Sequence, residues 1–386
     1  MDAGDARPAG LPGFTEDWAR QLIDPSRFHA ELDRLVHAWT FLGLAGDIAA
    51  DGDWITASIG ARSVFVQRFG EELRGFENVC AHRGYPLRLG ARGNGPVRCE
   101  VHHWQYNRDG RAVGIPICNA AFGKAPHALG ARLQPLDLAV CGSLVFGRFP
   151  AEHATQSLED FLGDAFPILQ AMTRTVDRPI RAEMDIRAHW KINMHFTMDD
   201  YHAPQVHPTT LGKDGVMPDL AKVHYVRFGS NSAFLFSEDK DCFEKLLEGC
   251  RTGTYRSDHF FILQVLPNLA IAHVDADRPF WFCNIIQFLP VATDRTRFRS
   301  WCYPAPFESG MTPLQRATRP LTDPIRRRIY QHYFMKVMRE DVAVCENLQS
   351  VLPGVTRAPL LGTLEQRIGW FEESLRTLAA PGGEPT

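Results

Sequence analysis

The stretch from Cys80 to Trp104, CAHRGYPLRLGARGNGPVRCEVHHW, contains two pairs of metal-ligand side chains. The first pair is spaced Cys-x-His and the second Cys-x2-His, with sixteen residues between them. Two thiolates and two imidazoles can hold a [2Fe–2S] cluster, with both cysteines on one iron and both histidines on the other. Glycine and proline are frequent between the pairs, as two ligand loops at strand ends require. The predicted ligands are Cys80, His82, Cys99 and His102.

A structural zinc site is the alternative, since two cysteines and two histidines also suit tetrahedral zinc. Zinc-finger sequences usually begin with two cysteines and end with two histidines. Here each half mixes one cysteine with one histidine at tighter spacing. The order of the ligands therefore favours the iron–sulfur cluster.

The two halves of this stretch resemble the Rieske motif. Cys80–Gly84 corresponds to the first half of the motif and Cys99–Trp104 to the second. Val101 and His103 stand where the motif usually has Tyr and Gly, a difference that concerns local packing and not the ligands. The resemblance implies a Rieske [2Fe–2S] cluster on the four predicted ligands.

Composition limits the classes of function. The chain has 386 residues, 45% of them hydrophobic, which is enough for two domains with separate cores. A net charge of −3 gives no bulk attraction to nucleic acid or to an anionic membrane. Met1–Gly13 lacks the basic start and apolar run of a signal peptide, and nine cysteines without pairing signals are typical of a reducing compartment. We expect a cytoplasmic protein that binds neither nucleic acid nor membrane, with a flexible tail at residues 379–386.

Short β-type runs separated by Gly and Asp surround the ligand stretch and predict an all-β domain over residues 37–150. The clearest runs are residues 54–59, 63–69 and 73–79. Strands this short, with turns every 8–12 residues, indicate a small sandwich or barrel. Residues 1–36 are predicted to form a tail and one or two short helices ahead of this domain.

A second domain is predicted over residues 151–378. A helix is expected around residues 190–202, and strands fill residues 223–303. A long helix is expected from Pro324 to Ser350, since proline is favoured at the first helical position. Strands followed by a long helix indicate an antiparallel sheet wrapped around that helix, the helix-grip arrangement, so the fold class of the chain is α+β.

Two histidines in the second domain, His202 and His207, lie five residues apart with Pro204 between them. This spacing is poor for one helical face, but a proline ends or kinks a helix and can return His207 beside His202. Asp341 falls on an apolar stripe of the long helix, where an unpaired carboxylate is costly. Two imidazoles and one carboxylate form the ligand face of non-haem iron(II) oxygenases. On the residues alone, chance spacing of the histidines and a solvated or arginine-paired Asp341 remain alternatives.

Residues 189–207 and 340–346 resemble the iron-binding segments of the Rieske non-haem iron oxygenase α subunits, a resemblance that extends over about 37–350. It implies that the ligands of a mononuclear Fe(II) are His202, His207 and Asp341. It also identifies Asp199 with the acidic residue that couples this iron to a Rieske histidine of a neighbouring subunit. That role implies a head-to-tail ring, most simply a homotrimer.

The chain departs from this family beside the proposed iron. His189 stands where the family often has Asn, and His195-Phe196 stands where it often has Glu-Asn. We therefore predict that His195 and Phe196 contribute to the substrate pocket. For His195, tuning of Asp199 and a packed core histidine are the alternatives.

The implied reaction is the insertion of oxygen from O2 into an organic substrate. A cluster with two histidine ligands has a higher potential than an all-cysteine cluster, so a flavin or ferredoxin can reduce it. The chain has no dinucleotide fingerprint, so a separate reductase, with or without a ferredoxin, would oxidise NAD(P)H. Arginines around the ligand loops predict a docking surface for this donor, or merely a solvated basic face. They are Arg83, Arg88, Arg92, Arg98, Arg108 and Arg111.

The substrate is only weakly encoded. Relatives that oxidise quaternary amines often carry Glu at the position of Asp199, so the aspartate favours an aromatic substrate. Hydroxylation, dihydroxylation and demethylation remain equally compatible with the residues. The alternatives are an oxygenase acting on a quaternary amine and a Rieske electron carrier or ligand-binding protein without oxygenase activity. Phenylalanines on the predicted strands suit either an aromatic substrate or an ordinary core: Phe234, Phe236, Phe260, Phe261, Phe282 and Phe288.

Overall fold

The computed structural model describes residues 14–151, 156–174, 176, 179–213, 219–255, 260–273, 282–304 and 312–378. Both predicted tails, residues 1–13 and 379–386, lie outside these ranges. The chain divides into two units. Leu32–Leu158 forms the first, which we call the cluster unit. The described residues of Met1–Glu31 and Glu159–Thr386 form the second, which we call the helix-grip unit. Their boundaries differ from the predicted 36/37 and 150/151, because residues before 32 pack with the later part of the chain.

Two short helices, α1 (Trp18–Ile23) and α2 (Pro25–Leu35), open the described chain. Trp18 donates a hydrogen bond from Nε1 to the carbonyl of Arg357 at 2.9 Å. Glu31, in α2, lies 2.5 Å from the ammonium of Lys191. These contacts fix the N-terminal segment to residues that follow it by more than 150 positions.

The cluster unit is built from short antiparallel strands. They form a four-stranded sheet in the order β4-β3-β2-β5 and two three-stranded sheets, β1-β10-β9 and β6-β7-β8. Gly60 makes the β2–β3 turn at φ +56°, where a Cβ would lie 2.4 Å from the carbonyl oxygen of Leu32. The strands are β1 (Thr40–Leu44), β2 (Asp53–Ile59), β3 (Arg62–Phe69), β4 (Glu72–Glu77), β5 (Arg92–Asn94), β6 (Val97–Arg98), β7 (Gln105–Tyr106), β8 (Ala112–Gly114), β9 (Asp137–Cys141) and β10 (Leu144–Arg148), with one helix, α3 (Cys118–Phe122).

The helix-grip unit contains a seven-stranded antiparallel sheet in the order β11-β17-β16-β15-β14-β13-β12. Its strands are β11 (Ile180–Ile186), β12 (Val223–Phe228), β13 (Asn231–Phe236), β14 (Phe261–Val265), β15 (Leu269–His273), β16 (Phe282–Ala292) and β17 (Arg295–Pro304). Its further helices are α4 (Leu158–Leu162), α5 (Ala165–Thr173), α6 (Trp190–Phe196), α7 (Ala203–Val206), α8 (Cys242–Thr252), α9 (Pro313–Val351) and α10 (Gln366–Leu378). The long α9 contacts β11, β17 and α6. A large antiparallel sheet with one long helix confirms the predicted α+β, helix-grip class.

The predicted start of the long helix at Pro324 is wrong. α9 begins at Pro313 and runs through both Pro320 and Pro324. Each internal proline removes one backbone hydrogen bond, in a part of the helix where the Leu321 and Ile325 side chains are 80% and 64% exposed. No helix among the described residues is long and apolar enough to cross a bilayer.

Candidate metal centres

The two ligand loops of the cluster unit are closed by backbone hydrogen bonds. The β6–β7 hairpin carries Cys99 and His102 in its loop, and Cys99 donates its N–H to the carbonyl of Trp104 at 2.9 Å. In the other loop, Cys80 donates to the carbonyl of Tyr85 at 2.8 Å, and Gly84 turns the chain at φ +75°. Each loop therefore holds one cysteine and one histidine at a fixed separation.

Burial divides the four predicted ligands into two pairs. Cys80 and Cys99 are 3% and 1% exposed within the core of the unit, and both are free of disulfides. His82 is half-buried and His102 is exposed, with their ring centroids 4.6 Å apart. His82 also stacks on Trp104 at 4.8 Å. Two buried thiols and two outer imidazoles match the donor set of a [2Fe–2S] cluster with two cysteine and two histidine ligands, which these four residues would hold.

Hydrogen bonds reach the inner sulfurs. The hydroxyl of Tyr106 lies 3.1 Å from Sγ of Cys80 and accepts the N–H of Ala81 at 3.1 Å. Since that oxygen already accepts one hydrogen bond, its own hydrogen is available to the sulfur. Burial and the neighbouring Cys80 raise the pKa of Tyr106, which keeps this donor protonated. Backbone N–H groups of Val101 and His102 point at the sulfur of Cys99. Sequence reasoning did not single out Tyr106, although its place two residues after Trp104 puts both side chains on one face of the strand.

His103 adopts φ +55°, in the left-handed region. The Rieske motif usually has glycine at this position, and glycine takes that conformation without strain. His103 therefore keeps the turn of the motif at a cost in backbone energy.

The predicted basic surface contains one residue that the structure places elsewhere. Arg88 is buried, with its guanidinium 4.9 Å above the ring of Trp54 and hydrogen-bonded to the carbonyl of Gly95 at 3.0 Å. Arg92 is exposed but paired with Asp47 at 3.3 Å. The remaining predicted arginines are exposed: Arg83, Arg98, Arg108 and Arg111.

The second centre is built around the short helix α7. His202 immediately precedes this helix and His207 immediately follows it, with Pro204 in its first turn. The predicted helix over residues 190–202 ends earlier, at Phe196 in α6, so a turn and a new helix separate α6 from His207. The two rings lie 5.4 Å apart between centroids at 69°.

Asp341 of α9 completes the group. Its Oδ1 lies 2.9 Å from Nε2 of His207 and 3.4 Å from Nε2 of His202. One ligand atom from each of the three residues lies within 4.8 Å of the others. His207 is buried and the other two are half-buried.

A second carboxylate lies beside the other nitrogen of each ring. Nδ1 of His202 is 3.2 Å from Oδ2 of Asp199, and Nδ1 of His207 is 2.8 Å from Oε2 of Glu340. Glu340 also accepts hydrogen bonds from Thr210 at 2.7 Å and Thr209 at 3.1 Å. Sequence reasoning gave Glu340 no role. Its position beside Asp341 in the helix was the available indication.

Asp199 reaches His202 through a turn and not through a helix. Its Oδ1 accepts the N–H groups of Tyr201 at 2.8 Å and His202 at 3.2 Å. Aspartate often bonds its own backbone two residues on, and this arrangement competes with a helix. Asp199 and His202 both fall within the helix expected over residues 190–202, but they lie in a turn beyond the end of α6 at Phe196.

The arrangement of acceptors fits a metal ion. When Nδ1 of each ring carries its hydrogen on the side of the neighbouring carboxylate, both Nε2 atoms are acceptors facing the carboxylate of Asp341. Oδ1 of Asp341 has no hydrogen bond from any described residue despite its close neighbours. Three converging acceptors need a positive charge between them. Burial lowers the pKa of His202, but the carboxylates of Asp199 and Asp341 outweigh burial and raise that pKa to about 9. The raised pKa shows that the surroundings of this ring favour a positive charge. Two imidazoles and one carboxylate suit non-haem iron(II) and leave coordination positions open.

A cavity of about 270 Å³ adjoins these ligands, with all three among its lining residues. Phe196 lines it, as do Asp199 and the buried Asp200. Of the six predicted phenylalanines, Phe234, Phe236 and Phe260 line the cavity, whereas Phe261 and Phe288 are buried in the core. The side chain of Phe282 lies outside the described residues. The aromatic lining residues are Phe196, Phe234, Phe236, Phe260, Tyr330, Tyr333 and Phe334.

His195 is not among the residues that line this cavity. Its Nε2 lies 2.9 Å from Glu372, and its ring contacts Phe371 and Phe14 edge to face. Glu372 also lies 3.6 Å from Lys191. The structure thus places the half-buried His195 on α6 beside Glu372, away from the lining of the cavity.

Comparison with known proteins gives matches to both units. Residues 38–129 match the family described as Rieske [2Fe-2S] domain. Residues 173–380 match the family described as ring hydroxylating alpha subunit (catalytic domain). These two matches cover the residues of both candidate metal centres.

Individual relatives include both dioxygenases and monooxygenases. The terephthalate 1,2-dioxygenase terminal oxygenase component subunit alpha 2 of Comamonas sp is 32% identical over 213 residues, or 49% of this chain and 50% of that protein. The glycine betaine monooxygenase oxygenase subunit of Chromohalobacter salexigens is 30% identical over 195 residues, or 49% of this chain and 42% of that protein. The chain thus spans about half of the length of these relatives, or less.

Among solved structures, the quaternary ammonium Rieske monooxygenase CntA in complex with L-carnitine is similar in fold. The superposition has a TM-score of 0.72 and covers 95% of this chain and 96% of that chain. The sequences are 19% identical, so this likeness concerns the fold alone.

Proposed function

This chain belongs to the family of ring-hydroxylating alpha subunits, and from that premise we propose that it is the terminal component of an oxygenase system. It takes electrons from NAD(P)H through a separate reductase, with or without a ferredoxin, and directs oxygen from O2 into an organic substrate. The observation that carries this proposal is the group His202, His207 and Asp341 at the edge of an aromatic-lined cavity.

The protein supplies binding, orientation and exclusion of water at both centres. When bound, the cluster supplies one-electron transfer and the iron supplies O2 chemistry. Cys80, His82, Cys99 and His102 would hold the cluster. Asp199 and Glu340 keep the Nε2 atoms of the two histidines turned toward the iron position, because each lies beside the opposite ring nitrogen. The aromatic side chains around the cavity hold a flat substrate and keep bulk water away.

We further propose that electrons cross between subunits of a homotrimer. In that ring the carboxylate of Asp199 would bond His202 on one side and His102 of the partner subunit on the other. Two observations support this assignment: His102 is exposed on the cluster unit, and Asp199 lines the cavity beside His202. A cytoplasmic location agrees with the need for a soluble electron donor. The exposed Arg83, Arg98, Arg108 and Arg111 would attract an acidic donor, an effect that salt weakens.

An aromatic substrate suits the lining best. Rings stack or meet edge to face, and three phenylalanines offer such contacts: Phe234 and Phe236 on β13, and Phe260 immediately before β14. A quaternary amine is the second candidate, since aromatic faces also attract cations and one relative is a glycine betaine monooxygenase.

Product analysis tests the function. The purified protein, a surrogate reductase and NADH are incubated under 18O2 with a panel of aromatic compounds and quaternary amines, and products are identified by mass spectrometry. We expect 18O in an aromatic product. If no compound of the panel acquires 18O and the protein holds about two irons per chain instead of about three, the electron-carrier alternative is supported. Labelled product from the amines alone would favour the second candidate.

A further inference from the structure

A buried amide lies in the wall of the cavity, on the sheet side. Asn284 is in β16, is 1% exposed and lines the cavity. Its cross-strand neighbour Ala272 and the next inward residue of its own strand, Ile286, also line the cavity. Neither of those side chains can form a hydrogen bond. The amide is therefore set in an apolar stretch of the wall.

The amide has a partner on its nitrogen side. Nδ2 of Asn284 donates to the hydroxyl of Tyr330 at 3.0 Å. Oδ1 is shielded from solvent and accepts no hydrogen bond from any described residue. Buried polar atoms are paired in the large majority of cases, because an unpaired one loses its bonds to water without replacement. Since Tyr330 engages the nitrogen, the oxygen is the atom left for a ligand.

Helix α9 sets a scale for the separation between this amide and the proposed iron ligands. Tyr330, which holds the amide, and Asp341 line the same cavity and lie eleven residues apart on α9. At a rise of 1.5 Å per residue, that separation is roughly 16 Å along the helix axis. After about 3 Å for contact at each end, some 10 Å remain, which suits two fused rings.

We propose that the substrate is an aromatic compound with a hydrogen-bond donor, a hydroxyl or ring N–H, at the end remote from the carbon that is oxidised. Asn284 Oδ1 accepts that hydrogen and is the specificity-determining atom of the cavity. The inference rests on the proposed function, because it names the substrate class of the same site. A donor-bearing ring satisfies the carbonyl, whereas a bare ring leaves it buried and unpaired. Sites built to bond a polar group reject ligands that lack it more strongly than apolar fit alone allows.

Ligand binding to the purified wild-type protein tests the proposal without any reductase. Dissociation constants are measured by calorimetry for 2-naphthol, naphthalene and 2-methoxynaphthalene, which share one ring system. We expect 2-naphthol to bind about tenfold more tightly than the other two, the worth of one satisfied buried hydrogen bond. Equal constants for 2-naphthol and naphthalene, or a preference for the methoxy compound, overturn the proposal.

Variants then assign the preference to the amide. Asn284→Leu keeps the volume and removes the acceptor, so the ratio of constants should fall to about one. Ile286→Leu, on the same face of the same strand, is the matched control and should change all three constants in parallel. Tyr330→Phe frees the amide nitrogen and should lower the ratio as well, which decides the case if Asn284→Leu does not fold. An undiminished ratio in a folded Asn284→Leu or Tyr330→Phe protein contradicts the assignment.

Failure of this inference differs from failure of the proposed function. If the protein binds 2-naphthol tenfold more tightly than naphthalene but never incorporates oxygen, the role of Asn284 stands and the proposed oxygenase function is refuted. If the protein oxygenates naphthalene and 2-naphthol with equal KM values, the proposed oxygenase function stands and the role of Asn284 is refuted.

Discussion

Glu340 and His207 are joined by a contact of 2.8 Å between Oε2 and Nδ1, while Nε2 of the same ring lies 2.9 Å from Asp341. Two consecutive residues of α9 therefore approach the two nitrogens of one imidazole. In the proposed iron site, the carboxylate of Asp341 would bind the metal, and the carboxylate of Glu340 would fix the orientation of the His207 ring. The long helix would then supply both a ligand and the residue that orients another ligand.

Replacing Glu340 tests this division of roles. Glu340→Gln keeps the size of the side chain but removes the charge that holds the hydrogen on Nδ1 of His207. We expect iron affinity to fall about 10–100-fold, as for other residues that orient metal-bound histidines. Iron retained after dialysis against a chelator measures the effect. Glu244→Gln, an exposed change on α8, is the control. Unchanged iron retention in Glu340→Gln would show that His207 needs no such support.

Replacing Asp341 tests whether the two metal centres are independent of each other. Asp341→Ala removes the acceptor on which both Nε2 atoms converge, so the mononuclear iron and the oxygenation should be lost. The cluster, held by another unit of the fold, should keep its spectrum. Metal analysis should fall from about three to about two irons per chain. Lys336→Ala, at an exposed position of the same helix, should change neither value. Three irons and normal turnover in Asp341→Ala would place the third ligand elsewhere.

Replacing Asp199 tests the proposed passage of electrons between subunits. Asp199→Asn should keep both metals but slow reoxidation of the reduced cluster by about 10–100-fold, because an amide cannot hold two imidazoles as a carboxylate does. Rapid mixing with O2 and substrate measures the rate. Asp219→Asn, a change to another aspartate that accepts the N–H two residues on, is the control. A wild-type rate in Asp199→Asn, or full activity as a monomer, would refute the route.

The sequence was sufficient for the fold class because its main features are local. Alternating apolar runs between glycines predicted β2 and β3 almost to the residue. Pro204 predicted an interrupted helix near His207, and an interruption is present, although it falls earlier, after Phe196, and Pro204 lies in the first turn of α7. What the sequence could not provide depends on contacts between distant residues. The contact between Glu31 and Lys191 is an example, because the sequence around either residue gives no indication that the other is its partner.

The candidate sites show the same distinction. Residues of the types that bind metals, at recognisable spacings, can be read along the chain, so His202 and His207 could be proposed as ligands from the sequence. Residues that support the ligands are defined by what they touch. Glu340, Tyr106 and Asn284 acquire their roles from partners 133, 26 and 46 positions away.

Tyr106 should raise the reduction potential of the cluster. Its hydroxyl donates toward Cys80, and a hydrogen bond to a ligating sulfur favours the more negative, reduced state. Tyr106→Phe should lower the potential by on the order of 50 mV, with the cluster still bound. Redox titration followed by electron paramagnetic resonance measures the shift. Tyr85→Phe, a change to a half-exposed tyrosine in the neighbouring loop, is the control. Equal potentials for both variants would exclude the hydrogen bond as the cause.

Glu372 should contribute to stability in a defined range of pH. Burial raises its pKa, but Lys191 and His195 outweigh that and lower it to about 2. A carboxylate with a depressed pKa stabilises the fold fully above its unfolded value of 4.5 and loses that contribution as pH falls toward 2. Glu372→Gln should therefore cost about 3 kcal/mol at pH 7 and show a smaller loss of stability below pH 4.5.

Chemical denaturation at several pH values measures this contribution. The neighbouring Glu373→Gln is a matched control, because Glu373 pairs with Arg227 at the surface and should contribute less than about 1 kcal/mol. A cost for Glu372→Gln no larger than for its neighbour would contradict the buried pairing.

The contact between Glu31 and Lys191 also constrains how the protein is made. Residues 32–158 emerge from the ribosome as one continuous piece and can fold when complete, whereas the helix-grip unit uses residues from both sides of that piece. Lys191 has its second carboxylate, Glu372, only after about 340 further residues have followed Glu31, or roughly 20–70 s of synthesis. Residues before Leu32 therefore lack their partners in the helix-grip unit until the later part of the chain has been synthesised.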